Sequence, residues 1–175
     1  PIILPKKTIF QLLSLLEETS DSVKIAGNKS KIRFEIENSI LISKVIDGKF
    51  PDYSKVIPLN NDKTLEISLS EFKNSIERVV AVSSDRKEGL KMALSKENIC
   101  LSVNNPNSGE GIENVKAKFN SNDMNMIFNS RYLLDITSQI ENNVIVLNLK
   151  DSGSPVMVKD LSDQNSFYVV MPMKI

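Results

Sequence analysis

Leu65-Glu66-Ile67-Ser68-Leu69-Ser70-Glu71-Phe72-Lys73-Asn74-Ser75-Ile76-Glu77-Arg78-Val79-Val80 decides the fold. Leu65-Glu66-Ile67 alternates like a strand with one buried face, and beyond Ser68 the residues Phe72, Ile76, Val79 and Val80 fall at the spacing of one helix face. Ser68 and Glu71 stand at capping-box spacing, which places a helix start between the two patterns. The same grammar occurs twice more. Ile2-Ile3-Leu4 leads through Pro5 to Ile9, Leu12, Leu13 and Leu16, with Thr8 and Gln11 at capping-box spacing. Met126-Ile127-Phe128 leads through Asn129 to Leu133, Ile136 and Ile140, with Asn129 or Ser130 as the cap. Counting from Pro5, Ser68 and Asn129, the fourth residue on is Ile9, Phe72 or Leu133, and the eleventh is Leu16, Val79 or Ile140. The apolar faces are in register in all three copies.

Each predicted helix is followed by three alternating segments: 23–26, 32–36 and 40–45; 90–94, 99–103 and 115–119; 144–149, 156–158 and 167–171. Turn clusters at 27–30, 104–109 and 151–155 separate them. The chain therefore reads as an α+β protein of three β-α-β-β-β repeats, helices packed on antiparallel sheets. A unit of about 60 residues is marginal alone, because it buries too little of its surface. Two such units sharing a core make a domain of ordinary size. Copies two and three pair as a complete domain, 55–175, which leaves residues 1–54 as half of another. The chain is accordingly expected to be part of a longer protein, and its start without Met favours the same reading.

Composition narrows the chemistry. The 175 residues are 41% hydrophobic and 25% charged, with 22 Lys+Arg against 22 Asp+Glu, which excludes general disorder. No run reaches the roughly 18 apolar residues of a membrane span, and the stretch Pro1 to Lys6 does not read as a signal peptide. The absence of His removes Ser-His and Cys-His nucleophilic machinery and the commonest transition-metal ligand. Cys100, the only cysteine, lies in Ile99-Cys100-Leu101 and reads as a strand residue rather than a reactive thiol, in a reducing, cytoplasmic compartment. Carboxylate groupings suited to a metal or to acid–base work are Glu17-Glu18, Asp47 with Asp52, and Asp160 with Asp163, each with a plainer reading as a helix end, a turn or a loop. Gly109-Glu110-Gly111 lacks the third glycine and the following helix of a phosphate-binding loop. No cofactor is expected, and a metal-dependent enzyme using Asp47 and Asp52 is the remote alternative.

Two further stretches carry a resemblance. Lys44-Val45-Ile46-Asp47-Gly48-Lys49-Phe50-Pro51-Asp52-Tyr53 and the terminal Tyr168-Val169-Val170-Met171-Pro172-Met173-Lys174-Ile175 resemble the bacterial DNA polymerase III beta subunit, the replicative sliding clamp. The resemblance runs along the whole chain. It implies a non-catalytic ring of two subunits, each of three clamp domains, every domain built from two β-α-β-β-β halves. This chain then matches the second half of the middle domain and all of the third. The ring is implied to encircle duplex DNA without sequence preference. The replicative polymerase, the clamp loader and repair proteins are implied to dock short linear peptides in a hydrophobic cleft. A scaffold of the same fold without a clamp's role is the alternative.

By the same resemblance the cleft would be lined by Pro51, Lys55, Val56, Asn129, Tyr132 and the segment Val169, Val170, Met171, Pro172, Met173, Lys174, Ile175. Gly153 and Pro155 stand in a rim loop where other members can carry Val or Ser, so the rim is expected to differ in shape. Proline gives rigid apolar surface with no N–H to satisfy, and methionine adapts to several ligands. Lys6, Lys7, Lys73, Arg78 and Arg131 are the DNA-facing candidates, because the family's helices line the central hole. Lys6, Lys7 and Arg131 stand near helix starts, where the dipole disfavours a cation by a few tenths of a kcal/mol, and phosphates would offset that. Solvated surface charge is the plain alternative, since Glu71 and Glu77 interleave with Lys73 and Arg78. Ala81 and Val82 are implied to contact a neighbouring subunit in the homodimer. Lacking a first domain, this chain is not expected to close that ring.

Overall fold

A computed structural model describes residues 2–16, 22–82, 89–163 and 165–174. Glu17-Glu18 and Ile175 lie outside the described residues. The chain divides into two compact units, Pro1–Asp52 and Tyr53–Ile175.

The first unit holds helix α1 (Lys6–Leu16) and strands β1 (Lys24–Gly27), β2 (Lys31–Ile36) and β3 (Ser39–Lys44), an antiparallel sheet in the order β1-β2-β3. Strand β2 alternates, so Ile32, Phe34 and Ile36 are buried on one face while Lys31 and Arg33 are exposed. Asn28 makes the β1–β2 turn by accepting the N–H groups of Ser30 and Lys31 on its side chain, both at 2.9 Å. The expected opening strand is reduced to one bridge, Ile3 to Ile46. The expected cap at Thr8 is corrected. Helix α1 begins at Lys6, so Thr8 is buried within its first turn and its hydroxyl bonds that of Ser43 at 2.7 Å.

In the second unit, a short 3-10 turn at Tyr53–Val56 precedes β4 (Lys63–Ser68), α2 (Leu69–Val80), β5 (Gly89–Leu94), β6 (Asn98–Asn105) and β7 (Gly109–Phe119). There follow β8 (Met124–Asn129), α3 (Ser130–Thr137), β9 (Val144–Leu149), β10 (Val156–Asp160) and β11 (Phe167–Val170). The eight strands form one antiparallel sheet in the order β11-β10-β9-β4-β7-β6-β5-β8. The architecture is α+β, built of β-α-β-β-β repeats with helices on antiparallel sheet, as the periodicity predicts.

The strand order shows how copies two and three satisfy each other. Strand β4 of copy two pairs with β9 of copy three along Lys63–Ser68, and β8 of copy three pairs with β5 of copy two along its whole length. Each repeat lends its first strand to the other. Strand β4 also meets β7 of its own copy, Glu66 opposite Lys118. Its counterpart in copy three is the Met173 N–H, which donates to the Ile127 carbonyl at 2.7 Å, and Ile127 precedes Asn129 by the same two residues that separate Glu66 from Ser68. Helices α2 and α3 lie side by side, and Phe72, Ile76, Val79, Leu133, Ile136 and Ile140 join one core. Each such side chain contributes about 1.5–3 kcal/mol by leaving water.

The two remaining caps differ. Asn129 accepts the Arg131 N–H at 3.0 Å, as its position predicts. Ser68 holds the cap position of α2 without accepting a helix N–H on its side chain, its hydroxyl meeting that of Ser70 at 3.3 Å, and the Leu69 N–H donates to the Asn143 carbonyl at 2.9 Å. The β6–β7 hairpin is longer than its turn cluster suggests, because Asn105 and Gly109 still pair.

Candidate functional site

Asn61 builds the site. Its side-chain amide donates to the carbonyls of Asn148 at 2.8 Å and Pro155 at 3.0 Å, which fastens the segment before β4 against the β9–β10 hairpin. Asp151 shapes that hairpin by accepting the N–H groups of Gly153 and Ser154 and the Ser154 hydroxyl, and these bonds hold its carboxyl below the usual carboxylate range. Strand β11 lies beyond, Val170 opposite Val156 and Val169 opposite Met157.

Between these pieces runs a groove of about 350 Å³ lined by Lys55, Val56, Ile57, Pro58, Leu59, Asn60, Asn61, Lys150, Ser154, Pro155, Val169 and Met171. Leu59 is 88% exposed, and Val56 and Met171 are each more than half exposed. Single exposed apolar residues are ordinary, but several converging on one concavity mark a binding surface.

The groove brings together Lys55, Val56, Pro155, Val169 and Met171. It does not include the other cleft candidates. Val170 faces the core, Pro172 is buried, and the Met173 backbone is tied to β8 with its side chain partly exposed. Gly153 sits in the Asp151 turn beside the rim, Asn129 is spent on capping α3, and Tyr132 is exposed on that helix. Lys174 is exposed, and Pro51 belongs to the other unit. Ile57 to Asn61, Lys150 and Ser154 went unforeseen. Their signal is faint: Ile57-Pro58-Leu59 is an apolar run too short for an element.

Of the basic candidates, Arg78 is engaged. Its guanidinium donates to both Glu113 carboxylate oxygens, at 2.8 and 3.1 Å, and to the Ser75 hydroxyl at 2.9 Å. That bond raises the Arg78 pKa and holds the Glu113 carboxyl low. Lys6 lies 5.3 Å from the centre of the Phe10 ring, Lys7 and Arg131 are exposed, and Lys73 is half-buried on α2. Ala81 is exposed at the end of α2, while Val82 packs against the core. Asp47 and Asp52 are exposed, and Asp160 and Asp163 hold turns. Among the described residues no three His, Cys, Asp or Glu come together as a metal site, and no helix is long and apolar enough to cross a membrane.

Residues 54–174 match the family model for the DNA polymerase III beta subunit, C-terminal domain, and residues 1–52 that for its central domain. The chain belongs to the DNA polymerase III beta subunit family. Among beta subunits, it is 35% identical over 174 residues to the beta sliding clamp of Caulobacter vibrioides, covering 99% of this chain and 47% of that one. The Escherichia coli K12 beta sliding clamp is 30% identical, with 99% and 48% covered. The crystal structure of the Caulobacter crescentus sliding clamp superimposes with a TM-score of 0.93 at 35% identity, over 99% of this chain and 46% of that one. A Bartonella birtlesii clamp, described as bound to griselimycin, gives 0.92 at 36%, over 99% and 47%. The chain thus spans about half the length of the beta subunits it matches. The beta subunit family is a non-catalytic one.

Proposed function

We propose that this chain supplies a sliding clamp, a cytoplasmic processivity factor of DNA replication, with its partner-docking groove and part of its DNA-facing surface. The observation that carries the reading is the convergence of Lys55, Val56, Pro155, Val169 and Met171 on one groove. Val56, Pro155 and Val169 give it stiff apolar walls, and Met171 an adaptable one that suits several ligands. Its ligands are short linear peptides with apolar anchors, from the replicative polymerase, the clamp loader and repair proteins. Pro51, Asn129, Tyr132, Gly153, Val170, Pro172, Met173, Lys174 and Ile175 are assigned to the same function.

Duplex DNA is the second partner, held through phosphates without sequence preference by Lys73 and Arg131, with Lys6 and Lys7 in the same role. Arg78 contributes less, because Glu113 already balances its charge. Ala81 and Val82 are the contacts to a second subunit of a homodimeric ring.

Fluorescence anisotropy with a labelled Gln-Leu-Ser-Leu-Phe peptide tests the groove. Met171→Lys, which sets a charge among the apolar walls, is expected to weaken binding about tenfold, a difference near 1.4 kcal/mol. No binding by the unaltered chain, or equal binding by the variant, removes the reading.

A further inference from the structure

The groove continues past Leu59 into a second hollow of about 630 Å³, and the two share Leu59, Asn60, Asn61 and Lys150. The far end is polar, and its charges are not equivalent. The Lys63 ammonium is committed, donating to the Lys150 carbonyl at 2.6 Å and to Asp62 at 3.1 Å. The Asp151 carboxylate is turned into its own hairpin, where it accepts from Gly153 and Ser154. Among the described residues the Lys150 ammonium has neither a hydrogen-bond nor an ion-pair partner, although its field reaches Asp62 and Asp151 and lowers the pKa of each. An uncommitted positive charge therefore stands on a continuous trough whose own anions are occupied.

We infer that Lys150 reads an acidic side chain beside the apolar anchors of a docked peptide, so that the groove prefers partners whose apolar motif is flanked by Asp or Glu. This rests on the groove being a peptide site. The apolar end fixes the peptide by removing its anchors from water, and Lys150 sets its direction and steers its approach. An exposed charge pair adds little affinity, so the preference is about threefold at low salt and fades as salt screens it.

Anisotropy titrations of the full chain use Gln-Leu-Ser-Leu-Phe extended by Asp-Asp or by Asn-Asn at either end. One Asp-Asp peptide is expected to bind about threefold tighter than its Asn-Asn counterpart. The ratio of Asp-Asp to Asn-Asn affinity falls to about one in Lys150→Ala and inverts in Lys150→Glu, each protein serving as its own reference. Only the exposed side chain changes, and the carbonyl that Lys63 grips is kept. A preference that survives Lys150→Ala, or none in the unaltered chain, overturns the inference and leaves the groove standing as long as the Asn-Asn peptides bind. Failure of every peptide to bind overturns both.

Discussion

Gly111 stands where β7 passes close against the end of α2. A Cβ there would lie 2.8 Å from the Val79 carbonyl oxygen and 3.2 Å from a Val82 methyl, and an oxygen in helix backbone cannot swing aside. Gly111→Ala is expected to cost about 1–3 kcal/mol, seen as a lower urea midpoint at unchanged slope. Asp160 acts through charge. The Ser162 hydroxyl and the N–H groups of Glu141 and Ser162 hold its carboxyl below its ordinary 3.8. A carboxyl acidified by folding adds stability above its unfolded pKa and loses it as pH falls through the folded value. Asp151 and Asp163 are shifted the same way. The urea midpoint of the second unit is therefore expected to fall from about pH 5 downward, and Asp160→Asn to be weaker at pH 7 with a shallower acid dependence. Such pairings were not legible in the sequence. Arg78 and Glu113 are 35 residues apart, and only the path of β7 beneath α2 joins them. Thr8 misled for a related reason, since a hydroxyl at capping spacing serves equally well to bond Ser43 once the helix has started earlier.

Helices α1 and α2 show what periodicity carries and what it leaves out. Phe72 and Ile9 hold the same register place, yet Phe72 is 0% exposed and Ile9 40%. Phe72→Ala is expected to cost about 3–5 kcal/mol, and Ile9→Ala under about 1 kcal/mol; urea unfolding of the two variants measures the contrast. A period reveals which face is apolar, but not whether another element covers it. Most strands of copies two and three were legible because they alternate, β9 being an exception with Ile145, Val146 and Leu147 all buried, and their exchange was not, because alternation carries no partner. The groove was legible only through the resemblance of Lys44 to Tyr53 and Tyr168 to Ile175. Its remaining walls, Ile57 to Asn61 and Lys150, belong to connections, which have no period to read.

Taken whole, the chain joins a unit with a small core to one with a large core. Pro1–Asp52 buries Ile32, Phe34 and Ile36, whereas the core of Tyr53–Ile175 runs from Leu65 through Phe72 and Phe128 to Val170. Urea is expected to give two transitions, the first unit melting earlier, with hydrogen exchange assigning the early one to β1, β2 and β3. In the proposed tethering role the C-terminal segment bears load, and the Met173–Ile127 bond decides where that load goes. Val170 is gripped by β10, second from one edge of the sheet order, and Met173 by β8, at the other edge. Tension applied at Met171 is therefore divided between two strands well separated in the sheet order, and the segment resists peeling from either side like a strap riveted at both ends.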